Sequence, residues 1–336
     1  MGASMRDART IERVTGQRIM AGFHGTGLNT DLRFLIDTIG VGGIILFSRN
    51  ITGRRQLENL CNSATDYARS TGLPRLLIAI DQEGGSVARL KAPDFTEFPG
   101  ASFMTTEQDA VDFARTTAKE LTGAGVNMNM APVLDVAPEG FDSIMSKRSF
   151  SSDPDRVSRL GETIITTLQS AGILAVAKHF PGIGRTTLDS HINRPDLEAT
   201  VDSLASYELI PFYAAVNAGV SGIMLSHIRY TGIDPEWPAS LSYEIAVRLL
   251  RDKMGYDGVV FTDDLEMGAI QNHYDTEDIT RQVGIAEIDV ALICKTRQVI
   301  EDIFESMCRA TARSVSLAEK ALRSEARILA LKSKLG

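Results

Sequence analysis

Short apolar runs alternate with longer amphipathic segments along most of the chain, and the alternation repeats about eight times. The runs fall at 17–23, 41–47, 76–80, 126–136, 173–177, 222–227, 258–263 and 289–294. Most are apolar at successive positions rather than at every second one, the pattern of strands covered on both faces in a parallel sheet. The segments between them read as helices. Residues 54–70 carry Leu57, Leu60, Ala64 and Ala68 at helical spacing, and 105–123 open with Glu107 and Asp109. Asp153 precedes Pro154, a capping carboxylate before a first-turn proline, while 201–218 form a helix that Pro211 interrupts. Strand and helix alternating in this way predict an α/β fold, a single (β/α)8 TIM-type barrel. The stretch from 298 to 336, rich in Ala, Leu, Arg and Glu, predicts C-terminal helices packed on the outside of the barrel. No linker divides the chain, so 1–336 read as one domain.

Composition narrows the possibilities. A chain of 336 residues, 43% hydrophobic, can bury a large core. The 43 acidic residues exceed the 35 Lys and Arg, giving a net charge of -8, which disfavours an extended nucleic-acid or anionic-membrane footprint. Cys61, Cys294 and Cys308 are odd in number and lack CxxC spacing, which suits a reducing compartment and no disulfide framework. The first sixteen residues hold no apolar signal core and no run approaches membrane-spanning length, so a soluble cytoplasmic protein is expected. No metal-ligand spacing such as HExxH occurs, and no metal or cofactor is expected.

Strand after strand ends on an ionisable residue: Asp81, Asp135, Lys178-His179, His227 and Asp263. In a parallel barrel these ends converge on one mouth, so residues far apart in sequence are expected to meet. Asp81 opens the segment Asp81-Gln82-Glu83-Gly84-Gly85, from which Arg89 can reach back across the turn. Its carboxylate either binds a ligand diol or anchors a salt-bridged turn at the rim. Arg148 is either a ligand contact or a surface arginine. Lys178 and His179 bind hydroxyls or phosphate, or satisfy the core. Asp263 and Asp264 are adjacent, so alternation sends only one of them into the mouth, and parity does not say which. After the fifth run, Pro181, Gly182 and Gly184 break the chain into a loop in which Asp189 and His191 are two apart. Either the pair is an incidental Asp-x-His in a solvated loop, or that spacing in extended backbone lets the carboxylate hold the imidazole and raise its basicity, as a proton donor and acceptor near neutrality requires.

Taken together, Asp81-Gln82-Glu83-Gly84-Gly85, Ala131-Pro132-Val133-Leu134-Asp135, Arg148-Ser149-Phe150, Lys178-His179-Phe180-Pro181-Gly182, Asp189-Ser190-His191 and Thr262-Asp263-Asp264-Leu265 resemble glycoside hydrolase family 3. The match is nearest to its β-N-acetylglucosaminidases, and runs from about Gly22 to about Lys295. The resemblance implies a barrel and a retaining, two-step mechanism through a covalent glycosyl-enzyme. It makes Asp263 the nucleophile and His191, assisted by Asp189, the general acid and then base. By the same carry-over, Asp81, Arg89, Arg148, Lys178 and His179 hold the non-reducing sugar. The implied partner is a small glycoside carrying terminal GlcNAc, such as a cell-wall muropeptide met in peptidoglycan recycling. Two positions depart from the pattern Lys-His-Phe-Pro-Gly-His-Gly-Asp-Thr: Ile183 replaces the second His and Arg185 the Asp. Arg185 is expected to meet an acidic leaving group. A β-glucosidase, a phosphorylase, a catalytically silent sugar-binding homologue and an aldolase using Lys178 as a Schiff base are the rival readings.

Overall fold

The computed structural model describes residues 7–187 and 195–335. Eight parallel strands close into a barrel in chain order: β1 (Ile19–Ala21), β2 (Gly43–Leu46), β3 (Leu77–Ile80), β4 (Met128–Asn129), β5 (Leu174–Phe180), β6 (Gly222–Leu225), β7 (Val259–Asp264) and β8 (Val290–Ile293), with β8 pairing back onto β1. Alternation within the apolar runs divides the core in two. Met20, Ile45, Leu77, Ala79, Val176, Met224, Phe261 and Leu292 fill the interior, while Ile19, Ile44, Ile78, Ala177, Ile223 and Val260 face the surrounding helices. Both faces are dry, which is why the strands read as continuous apolar runs.

The fourth run departs from its expected length. Only Met128–Asn129 pair as β4, and beyond them the chain stays beside β5 through hydrogen bonds from Val176 N to Ala131 O, Lys178 N to Pro132 O and Leu134 N to Lys178 O rather than as a named strand. Pro132 lacks the N–H a ladder needs, so the strand stops short of it. The helix expected over 201–218 is two helices, Val201–Ala205 and Leu209–Asn217, with Pro211 in the first turn of the second, where no intrahelical donor is lost. The C-terminal region is also two helices, Arg297–Arg313 and Val315–Ser333, divided at Ser314, whose hydroxyl accepts from Leu317 N. The second does more than lie outside. Ile328 and Leu331 join the interior cluster, Lys332 Nζ donates to Gln17 Oε1 at 2.7 Å just ahead of β1, and Leu335 O accepts from Arg75 ahead of β3. This helix therefore closes the N-terminal end of the barrel and leaves the other end for chemistry. Among the described residues no helix is long and apolar enough to cross a membrane.

Candidate active site

Two irregularities in the barrel ladder shape the mouth. Between β5 and β6 the register slips, with Lys178 opposite Met224 and Phe180 opposite Leu225, so one extra residue is inserted at His179. Between β7 and β8 it slips again, with Phe261 opposite Val290 but Asp264 opposite Leu292. A bulge of this kind cancels strict alternation. Lys178 and His179 consequently both line the mouth cavity, and so do Asp263 and Asp264, which corrects the expectation that only one of the aspartates would face it.

That cavity, about 180 Å³, gathers Asp81, Glu83, Arg89, Arg148, Lys178, His179, Asp263 and Asp264 over an apolar wall that includes Phe47, Met224 and Leu292. Lys178 Nζ sits 2.7 Å from Asp81 Oδ1 and 2.7 Å from Glu83 Oε1. Arg89 Nη2 reaches Asp81 Oδ2 at 3.2 Å, and Arg148 forks onto Glu83 at 2.8 and 2.9 Å. Burial works to raise the Asp81 carboxyl, but Lys178 and Arg89 outweigh it and hold it down at about 2. Glu83 is lowered in the same way, with Lys178 and Arg148 overriding burial. Lys178 is raised despite burial because both carboxylates face it, so its amine stays an ammonium ion. A Schiff-base lysine needs the opposite, and the aldolase reading loses its support.

The hairpin that delivers Asp81 and Glu83 is built by its own sequence. Gly84 and Gly85 adopt φ of 90° and 59°, which side chains rarely tolerate, and turn Gln82–Gly84 back onto Val87–Ala88. Asn129, at the end of β4, pairs both its amide groups with the backbone of Gln82 at 3.0 Å. Gln82 Oε1 then accepts from Arg89 N and Leu90 N, which fixes where Arg89 leaves the turn.

Asp135 has no solvent exposure and staples the next loop. Its carboxylate lies 2.7 Å from His179 Nδ1 and accepts from Ile183 N at 2.8 Å. The guanidinium of Arg148 can only donate, and at 3.5 Å it faces His179 Nε2, so the ring presents its hydrogen to Asp135 from Nδ1. Ile183 contributes its backbone here while its side chain is buried in the core. Arg185 is not at the cavity wall: it forms an ion pair with the fully buried Glu208 at the start of Leu209–Asn217, which corrects the expectation that it waits for an acidic leaving group.

Asp263 Oδ1 accepts from its own neighbour, Asp264 N, at 2.8 Å. Burial pushes this carboxyl up, yet His227, His179, the Asp264 N–H and Lys178 together bring it below the usual range, so it is ionised. Asp264 behaves oppositely. Burial, reinforced by Glu266 and Asp263, raises it to about 6, even though its Oδ1 accepts from Glu266 N and Cys294 N. The thiol of Cys294, also in the wall, is pushed well up by burial and the nearby carboxylates. Among the described residues no group of three or more His, Cys, Asp or Glu side chains could hold a metal ion.

Six of the residues singled out in the sequence, Asp81, Arg89, Arg148, Lys178, His179 and Asp263, thus meet at one cavity. Asp189 and His191 lie outside the described residues. Glu83 was passed over, although its two-residue spacing from Asp81 was the available signal. The staple formed by Asp135 and the place of Asp264 in the wall had no signal in residue type alone.

Fold and cavity define a (β/α)8 barrel with a compact pocket of interleaved carboxylates and cations at its C-terminal mouth. Residues 10–330 match the model of the glycosyl hydrolase family 3 N-terminal domain, and the chain belongs to that family. It is 34% identical over 336 residues to beta-hexosaminidase A of Pseudoalteromonas piscicida, covering 92% of this chain and 56% of that protein. It is 34% identical over 298 residues to the beta-hexosaminidase of Thiobacillus denitrificans, covering 86% of this chain and 81% of that one. The solved glycoside hydrolase family 3 beta-N-acetylglucosaminidase from a Paenibacillus species superposes with a TM-score of 0.91 at 34% identity, over 96% of this chain and 62% of that one. The chain thus spans little more than half the length of the first of these relatives.

Proposed function

We propose that this chain is a retaining exo-β-N-acetylglucosaminidase that removes terminal non-reducing GlcNAc from glycosides. The observation that carries the reading is an ionised, half-buried Asp263 in the same small cavity as the Asp81–Lys178–Arg89 cluster and the Glu83–Arg148 pair. Asp81, Arg89, Arg148, Lys178 and His179 hold the sugar's hydroxyls. Asp263 attacks the anomeric carbon and displaces the aglycone oxygen, which takes a proton from His191. Water then attacks the glycosyl ester, His191 accepts its proton, and Asp263 is released with the β configuration retained. Asp189 orients the imidazole throughout. The names borne by the relatives support an N-acetylhexosamine as the sugar.

The finer proposal is a muropeptide substrate, met in the cytoplasm during peptidoglycan recycling. Phosphorolysis is disfavoured because each cation of the cavity already faces a carboxylate, which would repel an incoming phosphate. Nitrophenol release tests the assignment. Wild-type protein is expected to cleave the aryl N-acetyl-β-glucosaminide far faster than the aryl β-glucoside, and D263N to lose at least about 1,000-fold in kcat. Equal rates for D263N and wild type would move the nucleophile elsewhere.

A further inference from the structure

Behind Asp263, hydrogen bonds reach back to the neighbouring strand. His227 lies two residues beyond β6 and is 1% exposed. Its Nε2 is 2.8 Å from the carbonyl oxygen of Asp264, and its Nδ1 is 2.6 Å from Ser240 Oγ. The N–H of Asp264 in turn meets Asp263 Oδ1 at 2.8 Å. A carbonyl oxygen only accepts, so Nε2 carries a hydrogen whatever the charge on the ring. Gain or loss of a proton is confined to Nδ1. The hydroxyl facing that nitrogen can donate to a neutral ring or, by rotating, accept from a cationic one. Ser240 is itself fully buried in the turn Ala239–Leu241, its N–H bonded to Ser226 O at 2.9 Å.

We propose that His227 is a positioning residue for Asp263: by holding the Asp264 carbonyl it fixes the residue whose N–H orients the reacting carboxylate, and Ser240 lets it do so in either charge state. The proposal rests on the reading of Asp263 as nucleophile. A bulge makes such a brace necessary, because at the slip between β7 and β8 the ladder no longer sets the direction of these residues. The ring also acts through its field. Lys178 and His179 from β5 and the ring of His227 favour the Asp263 carboxylate, while Asp264 beside it and Asp81, Glu83, Arg89, Arg148 and Cys294 in the cavity wall are the other titratable groups around it among the described residues.

Two substitutions separate the roles. H227Q keeps an amide donor near Nε2 but cannot take up a proton, whereas H227N is too short to reach the Asp264 carbonyl. With the aryl N-acetyl-β-glucosaminide, H227N is expected to lower kcat about 100-fold with KM within about three-fold. H227Q is expected to keep kcat within about ten-fold at its optimum, while the acidic limb of kcat/KM moves to higher pH. Equal losses of thermal stability in the two variants, with no change of limb and no difference in kcat, would reduce His227 to a packing residue and overturn the proposal. Absence of activity in wild type would instead dispose of the glycosidase reading. In that case carboxyl 13C NMR decides, with the Asp263 signal assigned by its loss in D263N: its chemical shift is expected to move in H227N, which loses the brace, more than in H227Q, and an unmoved signal in H227N would refute the brace.

Discussion

Asp263 and Asp264 are neighbours in one strand and share one cavity, yet the first is held below the usual carboxylate range and the second is raised to about 6. The difference lies in what surrounds them: Asp263 faces two imidazoles and an ammonium, Asp264 faces carboxylates. Because the Asp264 carboxyl titrates at about 6 in the fold and near 4 when unfolded, its favourable contribution to stability is complete below about pH 4 and is lost as the pH rises through 6. D264N, which keeps an oxygen for Glu266 N and Cys294 N, is therefore expected to gain on wild type in unfolding free energy between pH 4 and 6, by about 2–3 kcal/mol in all. Denaturant melts at a series of pH values check this, and a constant difference across the window would contradict it. That Asp81 and Asp263 meet at one mouth was legible in the sequence because each ends a strand on a charge. Glu83 and Asp135 were harder to read, because a carboxylate that binds its own protein looks the same in a sequence as one that binds a ligand.

At the level of elements, the bulges in β5 and β7 govern what the mouth contains. Hydrophobic period announces a strand but carries no trace of one inserted residue, so it could not bring Asp263 and Asp264 into one cavity, and the joint presence of Lys178 and His179 was expected from the family resemblance alone. The loop after β5 shows a related effect. Gly184 approaches Val136 so closely that a Cβ would lie 1.8 Å from its carbonyl oxygen, and Asp135 and Glu208 grip the loop from either side. Arg185 is thus a tether within the protein. R185A strands a fully buried carboxyl that burial already pushes above the usual range. The expected cost is about 1–3 kcal/mol at pH 7, shrinking as the pH falls and Glu208 takes up a proton. KM is expected to change no more for a muropeptide than for a neutral aryl glycoside. A selective rise with the acidic substrate would restore the role first expected for Arg185.

The whole molecule separates its two ends. The helix Val315–Ser333 seals the base with Ile328 and Leu331, and the mouth keeps the polar cavity. The alternation of apolar runs was enough to predict eight parallel strands, since a barrel covered by helices leaves both faces of each strand dry. It did not reveal the sealing of the base, because a helix that closes a barrel and one that lies along its side bury the same kinds of residue. What the architecture offers is two adjacent carboxylates at the end of β7 in a cavity of about 180 Å³, of which the proposed function makes Asp263 the nucleophile. Trapping with a 5-fluoro-GlcNAc glycoside, a slow substrate that lets the glycosyl ester accumulate, tests this most directly when followed by peptide mass spectrometry. The adduct is expected on Asp263, in wild type and in D264N alike. An adduct on Asp264 or on any other residue, or turnover that yields the inverted α-sugar with no adduct, would contradict the account.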